Sequence, residues 1–559
     1  MLDYLFDGVY GDWKPSELMA GEGPLFGDGG VRFIDRGNRK QKEEVMKKFM
    51  SLVCMVFALV VFCGQPAQAI EPTGELRIGV STLYDQTFHP NWSSVFRKKY
   101  IEPLYDHLIG VDSDGKFNPD KSVAYKWEPS ADYKSWTFYI RDGIKFHNGD
   151  PVTLEDVKYT IDEGSSKKNL YARADFQAKV ERVEVVPPNK VVVHLKAPWP
   201  TFLYYLSALT AGEGMIQPKN YITEKGDKYF QQHPVGTGPY KFLEWKEGEY
   251  IKYEALDSHW RVGVPKYKYL TFKLIPEEAT RAAALRAGEV DIIETSLEQQ
   301  KALKDAGFKI HQKDDALELH LRFLQSWRAE WPTSKAKVRK ALIYAINGDR
   351  ILEQILQGYG RRIGHAVSML SWSIEYKPYP PAPFDPEKAK RLLAEAGYPK
   401  GFTLYLYSFK SALPELPVIN EVVAGYWENI GVKVKILEMD YAAFRIIYSN
   451  HKDPAGPSAF LLDYPNRPVY SWRNNYSSTA MFSHVKDAKA DSMIADIESQ
   501  IDLEGYISAC QKLEDYVLSQ GWSQGFCTTP KLLAMKKDIP VWPLGKGVAS
   551  YRWEYMGVH

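Results

Sequence analysis

The chain has few cysteines, no long apolar run and almost no net charge, and each shortage excludes a class of protein. Four cysteines in 559 residues are too few for a disulfide scaffold. The 71 lysines and arginines nearly cancel the 70 aspartates and glutamates, so there is no global positive field to hold nucleic acid or an anionic membrane. No nucleic-acid partner is expected. The 12 histidines form no pair at helical spacing and no His-Glu-x-x-His, so neither a zinc site nor another metal or cofactor is expected. Gly236-Thr-Gly238-Pro239 lacks the Lys-Ser/Thr of a phosphate loop, and Pro239 removes an amide donor, so the stretch reads as a turn. Any coupled ATP hydrolysis must then reside on another chain. Internal repeats and low-complexity tracts are also missing.

Aromatic residues are plentiful, with 36 Tyr, 15 Trp and 25 Phe, which suits either a large core or a broad amphipathic cleft. The one strongly apolar stretch, residues 49–63, is shorter than the roughly 20 residues a membrane-spanning helix needs. Met46-Lys47-Lys48 precedes it and Gln65-Pro66-Ala67-Gln68-Ala69 follows, giving the positive head, apolar middle and small-x-small exit of a signal peptide. Export with cleavage after Ala69 is predicted, so residues 46–69 are a signal peptide and the destination is periplasmic. Residues 1–45 carry neither hydrophobic periodicity nor a motif. The start is expected at Met46, with an extension of separate role as the alternative. A lipid anchor at Cys63 is disfavoured by the bulky Phe62 before it.

Cys54 and Cys63 leave with that signal, and Cys510 and Cys527 remain. An oxidising compartment allows a disulfide between them, and two buried free thiols fit equally well. A mature chain of about 490 residues exceeds the 250–300 or so at which a single core stops growing, so more than one domain is expected.

Glu75-Leu-Arg-Ile-Gly-Val80 alternates as a half-buried strand does, and strands are also predicted over 190–195 and 270–275. Asn148-Gly-Asp-Pro-Val-Thr153 reads as a turn feeding a helix, with Thr153 as N-cap ahead of Asp156 and an apolar face at Val157 and Ile161. Further helices are predicted over 278–287, 335–347, 386–396 and 415–430. Strands interleaved with helices indicate an α/β class.

Gly521-Trp-Ser523-Gln-Gly525 fits the G-x-S-x-G nucleophile elbow, in which the acid and histidine follow the serine. Only His559 follows, at the last position, so the stretch reads as a turn before a strand and no enzyme is expected. A secreted serine hydrolase using Ser523 is the rival class.

Several segments, in order, resemble bacterial solute-binding protein family 5, the dipeptide and oligopeptide receptors of ABC importers. They are Ala124-Tyr-Lys-Trp127, Ser135-Trp-Thr-Phe-Tyr-Ile-Arg-Asp-Gly-Ile-Lys-Phe-His-Asn-Gly149, Thr153-x-Glu155-Asp156-Val157 and Pro234-Val-Gly-Thr-Gly-Pro-Tyr240. Arg286-Ala-Gly-Glu-Val-Asp291, Val338-Arg-Lys-Ala-Leu-Ile-Tyr-Ala-Ile346, Phe384-Asp-Pro-Glu-Lys-Ala389, Ala396-Gly397-Tyr398 and Ile430-Gly-Val-Lys-Val434 continue the series. Each also reads as scaffold: Trp136, Phe138 and Ile140 alternate as one strand face, and Gly149 and Gly238 supply turns.

The resemblance implies a type II periplasmic binding protein fold of cluster C, two lobes around a cleft with an extra inserted domain. Residues 70–312 form part of the first lobe and include the insert at about 111–231. Residues 313–522 form the second lobe, 523–559 return to the first, and the crossings fall near 313 and 522. The implied function is capture of di- or oligopeptides by hinge closure, without covalent chemistry. The implied partners are a membrane permease and separate ATPase subunits, with the receptor monomeric. Nickel complexes, oligosaccharides and opines are the alternative ligands on the same scaffold.

In peptide-binding members an aspartate of the second lobe receives the ligand's α-ammonium, and Phe460-Leu-Leu-Asp463-Tyr464 resembles its segment. A carboxylate beside Phe460, Leu461 and Leu462 in a closed cleft calls for a cation to pair with it; a capped or solvated loop aspartate is the bland alternative. Main-chain groups before Asp463 would pair with the ligand backbone as an added strand. Tyr441 matches an aromatic cleft position, and Trp92 lies in the first-lobe loop that faces the ligand in relatives. Trp472 and Arg473 are candidates to stack on the ligand or to bind its carboxylate. Asn466-Arg467-Pro468 and His89-Pro90 depart from the peptide binders' pattern and leave the ligand class open.

Overall fold

The alternation at Glu75–Val80 folds as the strand β1, an interior strand of a ten-stranded mixed sheet. The structure, a computed structural model, describes residues 71–558 apart from 84–85, 93–96, 167–173, 211, 368–376, 410–412, 465–467 and 546–549. Side chains are also undescribed at 174–175, 314, 442, 463–464 and 468–471. The predicted signal peptide, with Cys54 and Cys63, and residues 1–45 lie outside the described residues.

A small antiparallel sheet has the order β2-β3-β5-β4, with β2 (Ala124–Pro129), β3 (Ser135–Ile140), β4 (Val180–Val186) and β5 (Lys190–Leu195). Trp136, Phe138 and Ile140 face inward from β3, as their alternation predicts, and meet Val191, Val193, Trp199 and Phe202 in a separate core. The expected insert at 111–231 contains this sheet. Its helix Leu154–Ser165 starts on a capping box, in which the Asp156 N–H donates to the Thr153 hydroxyl at 3.3 Å and the Thr153 N–H to the Asp156 carboxylate at 2.8 Å. Val157 and Ile161 are its buried face.

The large sheet runs β12-β11-β13-β10-β14-β9-β1-β8-β7-β6. On the side of β1 lie β6 (Tyr240–Lys246), β7 (Tyr250–Ala255), β8 (Tyr269–Leu274) and β9 (Ile292–Thr295). On the far side lie β11 (Thr403–Ser408), β12 (Lys433–Glu438) and β13 (Ser458–Tyr464), which run parallel. The helices Ala336–Tyr344, Pro386–Glu395 and Leu416–Glu428 cover the far side, where Leu342, Leu393, Val423 and Trp427 join Leu404, Leu406 and Leu461 in one core. A second core forms around Ile78, Tyr253 and Phe272 on the side of β1.

Two long strands, β10 (Lys309–Phe323) and β14 (Ser523–Met535), join the two sides as an antiparallel pair. Their register breaks between Lys313/Lys531 and Leu317/Thr529, so three residues of β10 stand opposite Pro530 alone. Proline has no amide hydrogen for a ladder and is tolerated at such a break. Asp315 there takes a left-handed φ of 50°, which absorbs the extra length.

The small sheet is tied to the large one by buried charge. The Asp106 carboxylate accepts from Trp260 Nε1 at 2.8 Å and from Arg261 Nε at 2.8 Å, and lies 3.1 Å from His259 Nε2. Burial alone would raise this carboxyl, but His259 and Arg261 outweigh it and hold it far below the ordinary range. Gly238 packs against the same junction, where a Cβ would stand 2.4 Å from the Pro103 carbonyl oxygen. Asp106→Ala leaves Arg261 and His259 without that partner, and we expect a loss of about 3–5 kcal/mol in denaturant unfolding. A loss below about 1 kcal/mol would show that the junction does not depend on this carboxylate.

Candidate ligand cleft

Open α/β sheets take ligands outside the carboxyl ends of their parallel strands. β11, β12 and β13 end together on the far side of the sheet. The Asp463 backbone sits at the end of β13, opposite Leu319 of β10 and close to the broken register. Its side chain lies outside the described residues. Tyr441 begins the helix Tyr441–Asn450 just after β12, is 42% exposed, and packs its ring 5.3 Å from that of Phe409, which follows β11. The structure thus brings Tyr441 and the Asp463 backbone to one end of the sheet.

Facing strand ends on the other side carry charge. The Ser81 hydroxyl, just past β1, donates to the Glu294 carboxylate of β9 at 2.9 Å. Glu294 also lies 3.4 Å from Lys99 Nζ and 3.3 Å from Lys531 Nζ, and accepts from the Tyr551 hydroxyl at 2.8 Å. Burial alone would raise its carboxyl, but Lys99 and Lys531 hold it well below the ordinary range. Burial lowers the Lys99 ammonium to about 8 against the pull of Glu294. It lowers Lys313 to about 7, with Lys98 and Lys531 acting in the same direction. These residues escape sequence reasoning, because a lysine in a list of 71 charges gives no sign of its burial. The adjacent Arg97, Lys98 and Lys99 at the start of a short helix were the one available hint.

Other candidates lie elsewhere. Phe460, expected in the cleft, is fully buried and packs 5.0 Å from Phe444 and 5.4 Å from Tyr448, inside the far core with Leu461 and Leu462. Trp472 is 1% exposed, and with Arg473, Lys179 and Trp199 it lines a narrow crevice between the small-sheet core and the C-terminal helices. Arg473 pairs with Glu498 at 3.2 Å. Trp92 stacks on His89 with ring centroids 4.7 Å apart. Cys510 and Cys527 are buried free thiols in different cores, so the disulfide alternative is not formed. Burial pushes both thiols up to about 12. Gly521 caps the helix Leu503–Gln520 at a φ of 63°, and Ser523 opens β14, as the reading of a turn before a strand predicts. The Ser523 hydroxyl is buried and donates to the Ala366 carbonyl at 3.0 Å. Among the described residues no group of three or more His, Cys, Asp or Glu side chains could hold a metal ion, and no helix is long and apolar enough to cross a membrane.

The Ala366 N–H donates to the buried Glu514 carboxylate. Burial pushes this carboxyl up to about 8 despite that bond, and nearby Glu318 adds to the effect. The folded state therefore holds a proton that the unfolded chain releases at the ordinary carboxylate value, so this group's contribution to stability falls as pH rises from about 4.5 toward 8. In Glu514→Gln we expect thermal unfolding at pH 8 to improve on the parent by about 2–3 kcal/mol, with little difference at pH 5. Equal gains at both pH values would remove the titration from the explanation.

Residues 118–482 match the bacterial extracellular solute-binding proteins, family 5 Middle. The glutathione-binding protein GsiB of Pectobacterium atrosepticum is 32% identical over 396 residues, covering 68% of this chain and 75% of that protein. A dipeptide binding protein from Pseudoalteromonas sp. SM9913, solved with Met-Leu, shares the fold with a TM-score of 0.69 at 23% identity, covering 85% of this chain and 99% of that one. NikZ from Campylobacter jejuni, solved with Ni(L-His), does so with a TM-score of 0.70 at 24% identity, covering 87% and 98%. With two cores joined by a strand pair, a small sheet set apart and this span of family match, the chain belongs to the bacterial extracellular solute-binding proteins of family 5 and has their two-lobed type II fold.

Proposed function

We propose that this protein captures short peptides between its lobes and delivers them, closed, to the permease of an ABC importer with separate ATPase subunits. The observation that carries the reading is the meeting of the carboxyl end of β13 with the strand pair β10/β14 at its broken register. A ligand held there touches both lobes and so favours the closed population. Hinges are a few residues that absorb backbone rotation, and the interruption at Asp315 and Pro530 fits that role. The lobes are then residues 70–312 with 523–559, and residues 313–522. The kinship to a glutathione-binding protein favours peptides of two or three residues.

Asp463 is assigned to the ligand's ammonium group. Asp463→Ala should weaken peptide binding in calorimetry by about 2–5 kcal/mol, the usual loss when one member of a buried charge pair is removed. An unchanged affinity would remove Asp463 from that role. Export through cleavage after Ala69 belongs to the same reading, and N-terminal sequencing of the secreted protein should begin at Ile70. A start upstream of residue 46 would contradict it.

A further inference from the structure

The insert also meets the second lobe through residues outside β10 and β14. One wall of a narrow crevice there carries Lys179, at the end of the helix Ala174–Lys179, with Pro198 and Trp199. The other carries Trp472, Ile497 and Glu498, from the helices Pro468–Tyr476 and Ala488–Ser499. Each wall is rooted in its own core. Trp199 is 2% exposed and packs 5.2 Å from Phe202 and 4.6 Å from Tyr205 in the small-sheet core, while Trp472 and Ile497 belong with Leu513 to another. The two surfaces abut without sharing a core, so they can part without unfolding either side.

Their polar groups are complementary. The Trp199 indole Nε1 is buried with no hydrogen-bond partner among the described residues, whereas a buried indole N–H usually finds one. Lys179 Nζ lies 5.1 Å over the Trp199 ring and adds positive charge to the same wall. On the other wall the Glu498 side chain is 34% exposed and pairs with Arg473 at 3.2 Å. A carboxylate offers about four lone-pair sites, so that pair leaves it able to accept more. An unmet donor and a cation of the insert thus share a crevice with a carboxylate of the second lobe.

We propose that the insert is a latch: Glu498 of the second lobe takes the Trp199 N–H and the Lys179 charge, and so holds the lobes together without help from the solute. The inference rests on the hinge-closure reading. The walls belong to lobes joined through β10 and β14, so opening there separates them, and a bond across the crevice raises the closed population before a ligand arrives. Apparent affinity scales with the competent fraction, which makes Glu498 a positioning residue for binding rather than a contact of the solute.

The test is solution scattering of the full chain without ligand, on the wild type, Glu498→Lys, Lys179→Glu and the charge-swapped double variant. Each single variant should raise the radius of gyration by about 1 Å above the roughly 24 Å of a compact chain this long, and the double variant should return toward the wild type. In calorimetry with Met-Leu and with glutathione, each single variant should weaken the bound probe about three- to ten-fold, and the swap should recover binding to within about two-fold. Either single variant is sufficient if the other does not fold. Scattering identical to the wild type in the single variants, or a double variant no better than the singles, overturns the latch and leaves peptide capture standing. If neither probe binds while the scattering follows the expected pattern, peptide capture falls and the latch stands.

Discussion

The ladder between β10 and β14 is the constraint on which the rest of the structure depends. It is the stretch of sheet that belongs to both cores. Leu319, Leu321 and Cys527 pack into the far core, and Leu533 and Met535 pack into the core around β1. Backbone hydrogen bonds keep the strands paired on each side of the break, where the register is lost. Pro530 and the left-handed Asp315 mark that place.

This arrangement sets where the chemistry can be. Strands parallel to one another on each side of the ladder end toward its broken register, one side carrying Tyr441 and the Asp463 backbone, the other Ser81, Glu294 and the lysines. The charges are held by one another and by burial, so they stay in place without a ligand. Proteins of the same fold are solved with Met-Leu and with Ni(L-His), so the one scaffold accepts different occupants.

Much of the scaffold was legible in the residues. β1 and β5 have the predicted bounds, the helix Glu278–Ala287 matches its predicted span, and the other predicted helices differ by a few residues at their ends. Caps and periodicity are local, and Thr153 with Asp156 shows why: four consecutive residues contain the whole signal. The cleft was less legible. Phe460 reads like a cleft neighbour of Asp463, but it packs among Phe444, Tyr448 and His484 in the far core, and nothing in its local sequence reveals those distant neighbours. Trp472 and Arg473 lie close to Asp463 in sequence and yet line a crevice against Trp199.

The sequence by itself determined the class of the protein: α/β layering, more than one core, turns at Gly149 and Gly238, and the run of segments by which it resembles its family. Those properties arise from neighbours along the chain. Only the tertiary structure decided that Lys313 faces Lys531, that Arg552 is buried beside Glu102, and that Cys510 and Cys527 sit in separate cores. Such facts depend on contacts between residues far apart in the chain, where burial changes what a charge or a thiol can do, and no local pattern records them.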